Sequence, residues 1–521
     1  VRTLIPYGCI VKPQFITDGA IWRVLFLLEG SEDGPYHQEP AGAVGRVKEV
    51  EMLERLFHLQ EKQTRPGTEV VAGLITFLTM AYIIFVNPAV LSGVMFGQET
   101  GMDFNAVTAA TCLAAALATA IMGLYANYPI AQAPGMGENF FFALTVIPAA
   151  AAAGFAEPWK VALGVVFVSG VLFLLLSLFG VRRLIVDAVS PSLKSGMAVG
   201  IGLFIAFIGL RNAGVILTNP GTAVQLNTHF ASPDIMVFAV GLLTAAVLHV
   251  RRVRGSILWG ILAAAAAAWL LKGLLPHLPA RWAQSDVVQK SMLVSRFTPA
   301  RGILSAPASP AATTFRMNVT VALSLAMLPY VLIFLFMDVF DTIGTLIGVS
   351  QQAGLLKDNR LPRAERALLS DAIGTVAGAC LGTSTVTSYI ESAAGVEHGG
   401  RTGLTALTTA VLFLGALFFL PLIRMIGSYP PITAPALVVV GAMMARNVAH
   451  IAWEDYSEAI PAFLVMIGIP LTYSIADGIA LGFISQPLVK LLGGRGREVS
   501  WVMYLICAIL LAYFIFIRAG V

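Results

Sequence analysis

Two acidic residues inside an apolar run have to be explained first. Asp338 and Asp341 lie three positions apart in the stretch from Val319 to Val349, whose length and composition predict a membrane-spanning helix. On a helix they share one face, with Thr342 and Thr345 beside them. An ionised carboxylate at bilayer depth costs at least about 2.5 kcal/mol. Two on one face therefore require a wet cavity, a partner or a proton. The plainer reading, acids that merely tie neighbouring helices together, is the weaker one, because ionisable groups at this depth mark substrate and proton pathways.

The elements that must hold such acids are themselves broken. In 132–144, Pro134, Gly135 and Gly137 stand where an ordinary helix interior would exclude them. Irregular backbone at membrane depth is tolerated only inside protein or along a cavity. The pattern predicts extended chain and then a half-helix whose N-terminus, with free N–H groups and the Asn139 amide, ends at a binding site. The stretch 382–395 is a second interruption, rich in hydroxyls, and carries a third acid, Glu391. Apolar runs number about seven on each side of the polar segment 276–318, and the third of each half is the interrupted one. An odd number per half sets the halves in opposite orientations. A matched pair of broken segments is the pattern of an inverted-repeat transporter, with its site at the repeat interface. The fold reading is an all-α polytopic membrane protein of about 14 segments, in two inverted repeats (66–275 and 319–521) with interrupted third and tenth members.

Composition supports the class. The 521 residues are 57% hydrophobic and 12% charged, with a mean hydropathy of +0.81, where soluble domains carry about 25% charged residues. A net charge of +4 gives no reason to expect a nucleic-acid partner. Cys9, Cys112, Cys380 and Cys507 are far apart and the seven His are scattered, so no metal site, disulfide framework or cofactor is expected.

Residues 1–65 are polar and broken by Pro6, Pro13 and Pro40, which predicts a cytoplasmic lead-in with an amphipathic helix over 48–60. Spans follow over 70–90, 107–125, 161–178, 194–210, 235–249 and 257–275. After the external loop they continue over 319–349, 365–381, 405–420, 435–446, 456–492 (in one piece or two) and 502–517. With the N-terminus inside, the internal loops carry Arg182, Arg183, Arg251, Arg252, Arg254, Lys357, Arg360, Arg363 and Arg366, as the positive-inside rule requires. The basic loop at 493–497 breaks that pattern. The pairs Gly196–Gly200 and Gly374–Gly378 predict close helix packing.

Four motifs occur in order: GLITFLTMAY (Gly73–Tyr82), APGMG (Ala133–Gly137), DVFDTIGT (Asp338–Thr345) and GTSTVTSYIESAAG (Gly382–Gly395). Together they resemble the AzgA-like purine permeases of the nucleobase–cation symporter-2, or nucleobase–ascorbate transporter, superfamily. The resemblance runs from about Met52 to the C-terminus, so residues 1–51 read as an extension. It implies a multi-pass protein of the cell membrane, not an enzyme. It implies a core domain (70–180 and 319–420), a gate domain (194–275 and 432–519) that forms a homodimer surface, and proton-coupled uptake of hypoxanthine, guanine or adenine. By motif position, Asn139, Asp338 and Glu391 match purine-contacting positions and Asp341 matches the one linked to proton coupling. Glu138 departs from the apolar residue usual before Asn139.

The chemistry suits a purine base, which is flat and sets N–H donors beside acceptors. Glu391 and Asp338 can accept ring N–H groups, and Asn139 can read the position-6 substituent. Phe140 or Tyr389 can stack on the ring, although ordinary core packing explains the Phe run as well. Gly137, Glu138, Thr342 and Ser388 would line the site. Neighbouring acids at this depth cannot all stay ionised, so protonation becomes linked to substrate occupancy. Two other readings compete. An intramembrane aspartyl protease would need acids that flank a peptide bond, and two acids one turn apart on a single helix do not. An anion transporter of the SulP type would need a cation where this pattern collects acids.

Overall fold

The computed structural model describes residues 52–178, 188–277, 279, 281, 284–353, 355, 362–512, 514 and 515. The expected extension 1–51 and the loop cations Arg182, Arg183, Lys357 and Arg360 lie outside them. The chain is mostly helical, and ten helices among the described residues are long and apolar enough to cross a membrane.

In the first half, α1 (Pro66–Met80) and α2 (Ile83–Leu91) form one nearly continuous span. α3 (Phe104–Ile121) is capped by the Asp103 carboxylate, which accepts from Ala106 N–H. The strand β1 (Gln132–Pro134) then feeds α4 (Met136–Phe141), which runs on through a π-helical turn into α5 (Ile147–Ala152). The predicted extended chain and half-helix are both present. α6 (Pro158–Leu178), α7 (Pro191–Asn212), α8 (Pro233–Val250) and α9 (Ser256–Leu274) follow. A hairpin of β2 (Ile216–Asn219) and β3 (Ala223–Leu226) joins α7 to α8.

The second half repeats the sequence of shapes. α10 (Leu328–Gln352) and α11 (Ala364–Leu381) lead to β4 (Val386–Ser388) and the short α12 (Ser392–Glu397). α13 (Gly403–Ala416), α14 (Leu420–Ser428) and α15 (Pro430–Ala445) come next, then α16 (Tyr456–Thr472), α17 (Ile475–Leu492) and α18 (Trp501–Ala512).

Two expectations change, and a third point that the sequence leaves open is decided. The fold is not purely helical, because two short antiparallel ribbons are present. The acid-bearing span begins at Leu328, since a separate helical turn, Val319–Ala322, precedes it. The run 456–492 is two helices that pack against each other, separated at Tyr473, whose left-handed backbone (φ 55°) ends α16.

Packing follows the small residues. At Gly196 and Gly200 an added Cβ would fall 2.8 Å from Ala462 O and 2.9 Å from Val465 O, so α7 lies directly on α16. At Gly374 and Gly378 it would fall 2.8 Å from Ala118 Cβ and 2.9 Å from Val386 Cγ2, which seats α11 between α3 and β4. α1, α3, α6, α10, α11 and α13 pack among themselves, and α7, α8, α9, α15, α16 and α17 form a second group.

The segment between α9 and α10 is folded down onto both groups. Asp234, at the start of α8, accepts from Met292 N–H (2.8 Å), Leu293 N–H (3.0 Å) and the Tyr429 hydroxyl (2.6 Å). Lys272 of α9 donates to the carbonyls of Leu293, Val294 and Phe297. Farther along, Phe315 N–H donates to Cys380 O (2.7 Å) and Thr313 Oγ1 to Leu381 O (2.9 Å), at the end of α11.

Candidate functional site

The two interrupted segments meet. β1 and β4 pair antiparallel, with Gln132 opposite Ser388, Ala133 opposite Thr387 and Pro134 opposite Val386. Two backbone bonds extend the crossing, Gly135 N–H to Thr385 O (2.9 Å) and Tyr389 N–H to Ala131 O (3.0 Å). The Tyr389 hydroxyl closes it by donating to Pro134 O (2.5 Å). Helix α4 starts at the crossing, and α12 starts a turn beyond it, with its first N–H groups bonded to the carbonyls of Tyr389, Ile390 and Glu391.

Five carboxyl groups surround the crossing: Glu138 on α4, Asp338 and Asp341 on α10, Asp371 on α11, and Glu391 just before α12. Asp371 is the hub. Its Oδ1 accepts from Gln132 Nε2 (2.6 Å) and Ser388 Oγ (3.3 Å), and its Oδ2 accepts from Thr342 Oγ1 (2.7 Å). Thr342 is also within 2.8 Å of the Thr387 hydroxyl. Asp338 accepts from Thr375 Oγ1 (2.9 Å) and lies beside Asp371. Thr375 spans the strand as well, its Oγ1 accepting Val386 N–H (3.1 Å) and lying 3.0 Å from Val386 O. Asp341 interacts with Glu391 and with the Thr387 hydroxyl. Glu391 accepts from the Tyr82 hydroxyl (2.7 Å). Glu138 turns back over the start of its own helix, 2.2 Å from where a Cβ on Gly135 would sit, and faces both Asp341 and Asp338. The acid that departed from the family pattern therefore joins the cluster.

Access differs among these groups. Asp338, Asp371, Asn139 and Thr342 are fully enclosed, with Glu138 and Ser388 nearly so. Asp341 is exposed, and the exposure continues at Gly344, Ile347 and Gly348. Those positions recur every helical turn, so one stripe of α10 is open from the site to Gly348. Several enclosed atoms, namely Asp338 Oδ1, Asn139 Nδ2, Gln132 Oε1 and Thr385 Oγ1, have no hydrogen-bonding partner among the described residues. Buried polar atoms are normally satisfied, and such a concentration at one crossing fits a polar ligand or ordered water.

Not every expected residue is brought in as a contact. Phe140 packs edge-on against Phe96 and Phe204, at ring separations of 6.1 and 6.4 Å, so the aromatic core and not the crossing holds it. Tyr389 uses its hydroxyl to bind backbone across the crossing. Gly137 lets α4 approach α7 and α10, since its Cβ would meet Ile201 at 3.0 Å and Met337 at 3.5 Å. Sequence reasoning missed Asp371, Gln132, Thr375 and Tyr82. Asp371 was within reach of the rule applied to Asp338, as an acid inside a predicted span. α11, with Glu365, Arg366 and Asp371, is not among the ten helices long and apolar enough to cross a membrane.

The model of the Permease family matches residues 67–481. This chain belongs to that family, the nucleobase–ascorbate transporter family. The guanine/hypoxanthine permease PbuO of Bacillus subtilis is 42% identical, over 85% of this chain and 96% of its own length. The adenine permease AdeP of Escherichia coli is 39% identical, over 90% of this chain and 97% of its own. Among solved structures, the transmembrane domain of the bicarbonate transporter BicA of a cyanobacterium is similar in fold, with a TM-score of 0.56 at 14% identity, covering 79% of this chain and 97% of that one. The protein is a permease and not an enzyme, embedded in the cell membrane by many apolar helices.

Proposed function

We propose that the protein is a secondary active transporter that takes up hypoxanthine, guanine or adenine together with protons by alternating access. The observation that carries this reading is the pairing of β1 with β4 amid five carboxyl groups, between two halves of matching shape. Fourteen spans in two inverted repeats accommodate the helices as far as α17. The group containing α1, α3, α6, α10, α11 and α13 is the core domain (70–180 and 319–420). The group containing α7 to α9 and α15 to α17 is the gate domain (194–275 and 432–519), which forms the homodimer surface. The division of 456–492 into two crossings supports this layout, because it moves the basic loop at 493–497 to the same side as Arg363 and Arg366. The open stripe of α10 then faces the cytoplasm, an inward-open shape.

In this reading Asp338 and Glu391 accept ring N–H groups, Asn139 contacts position 6, and Asp341 takes the coupling proton. The exposure of Asp341 supports its part, since a coupling group must exchange protons with water. An anion carrier, as the fold of BicA suggests, is less well served, because an anion among clustered carboxylates meets repulsion. The deciding experiment is uptake by proteoliposomes under an inward proton gradient. Labelled hypoxanthine should accumulate and labelled bicarbonate should not; the reverse result would overturn the proposal. Asp341→Asn should keep binding but lose accumulation driven by the gradient.

A further inference from the structure

We propose that the cleft between the chain ahead of α1 and the start of α11 binds a phosphate group, carried either by a lipid at the membrane surface or by a small dissolved phosphate ester. The cleft lies apart from the crossing of β1 and β4, and the inference does not depend on which base is carried. Its volume is about 220 Å³. Sites for drug-sized ligands hold about 300–1,000 Å³, so the occupant here is a small anion or the phosphate end of a larger molecule.

Two cations and an imidazole converge on it from separate elements. Lys62 and His58 come from the chain ahead of α1, and Arg363 stands one residue before α11. The acid on the wall, Glu61, does not neutralise them. Its side chain is 65% exposed, and its carboxylate stays 3.8 Å from Lys62 Nζ, beyond hydrogen-bond length. The Arg363 guanidinium lies 5.6 Å over the Tyr128 ring. Stacked on an aromatic face, a guanidinium keeps its N–H edge for a bidentate hold on phosphate oxygens. Lys62 supplies a point charge of the kind that serves beside it.

The walls are fixed in place. Phe57 and Leu59 pack on Leu404 of α13. Asn127 donates to Phe57 O at 3.1 Å and accepts Gly403 N–H at 2.6 Å. The Tyr128 hydroxyl donates to Pro362 O. The backbone is also unusual here. Among the described residues nine non-glycine positions are left-handed, and three of them, His58 (φ 54°), Asn127 (φ 52°) and Arg363 (φ 55°), line this one cleft. Such backbone is costly for a residue with a Cβ, and it gathers at ligand clamps and switch regions. Cations that only set orientation in the membrane need neither a shared cleft nor strained backbone.

The test uses the full chain purified in a neutral detergent. Inorganic phosphate is titrated in and followed by calorimetry, and phosphatidylglycerol retained from mixed vesicles with phosphatidylcholine is counted by native mass spectrometry. At least one of the two probes should bind saturably. Lys62→Gln and Arg363→Gly should each weaken that binding at least about ten-fold. Glycine suits the left-handed backbone at 363, so the second variant should fold as the wild type does. Phosphate binding that phosphatidylglycerol abolishes, or retention of the lipid alone, assigns the cleft to a lipid. Phosphate binding that persists beside the lipid assigns it to a dissolved ester. Absence of saturable binding by both probes overturns the proposal, and so do wild-type affinities in both variants. Loss of purine uptake is not a readout, so failure here leaves the function proposed above standing.

Discussion

The Tyr82 hydroxyl donates a 2.7 Å hydrogen bond to Glu391 Oε1 across 309 residues of chain, from the end of α1 to the threshold of α12. The neighbouring Thr79 hydroxyl reaches Glu391 O at 3.3 Å. The first helix thus orients an acid of the second half. Tyr82→Phe removes the donor and keeps the ring. Hydrogen bonds to charged groups are worth about 1.5–3 kcal/mol. Hypoxanthine affinity should fall about ten-fold in calorimetry, with little change in melting temperature. Wild-type affinity in the variant would remove Tyr82 from the site.

Asp371 satisfies donors from Gln132, Thr342 and Ser388 at once. Asp371→Ala removes their shared acceptor in the interior, leaving Gln132 only Ser388 Oγ (3.2 Å) and Thr342 only the Thr387 hydroxyl (2.8 Å), and each donor left unsatisfied costs about 1–3 kcal/mol. Loss of monodisperse protein in size-exclusion chromatography is expected. Asp371→Asn keeps the shape and one acceptor, and should give folded protein with uptake reduced at least about ten-fold.

Glu69 makes a prediction remote from the crossing. It is buried at the start of α1, where it accepts Arg401 N–H (2.9 Å), Thr402 N–H (3.2 Å) and the Thr405 hydroxyl (2.6 Å). Those groups belong to the first turn of α13 and the residues before it, so one helix caps another. Glu69→Ala should destabilise by about 2–3 kcal/mol. The measurement is thermal unfolding in detergent, and a wild-type melting temperature would contradict the capping role.

Outside the spans, Asp455 carries a pH dependence. Its hydrogen bonds from the Ser457 hydroxyl and then from Arg495 hold its carboxyl down at about 2, from an ordinary 3.8. A depressed acid stabilises above its unfolded value and loses that contribution as pH falls through the folded one. The loss therefore lies between about pH 4 and pH 2. Arg495→Gln should flatten the decline of melting temperature across this window, followed by tryptophan fluorescence.

Much of the site was legible in the sequence, for reasons of backbone chemistry. Pro134, Gly135 and Gly137 announced broken helix, and the hydroxyl run at 383–388 announced the second break. Charge at depth marked Asp338, Asp341 and Glu391. The pairing of β1 with β4 was hidden, because each strand has only three residues and neither alternates in polarity. Asp371 was overlooked among the spaced polar residues of α11. The apolar run 456–492 admits one piece or two, and Pro470, three residues before Tyr473, does not decide it because α16 carries that proline in its interior. Phe140 shows the converse limit, since residue type gave no way to tell a stacking platform from a core aromatic.

The folded segment between α9 and α10 behaves as a leash with two knots. One knot ties it to α8 and α9 through Asp234 and Lys272, the other to the end of α11 through Thr313 and Phe315. Between them, Ala300 and Ser305 hold on through single backbone bonds to Met425 Sδ and Phe418 O. If uptake proceeds by alternating access as proposed, travel of α11 past α8 would have to be taken up by the chain between the knots, and its length would cap the stroke.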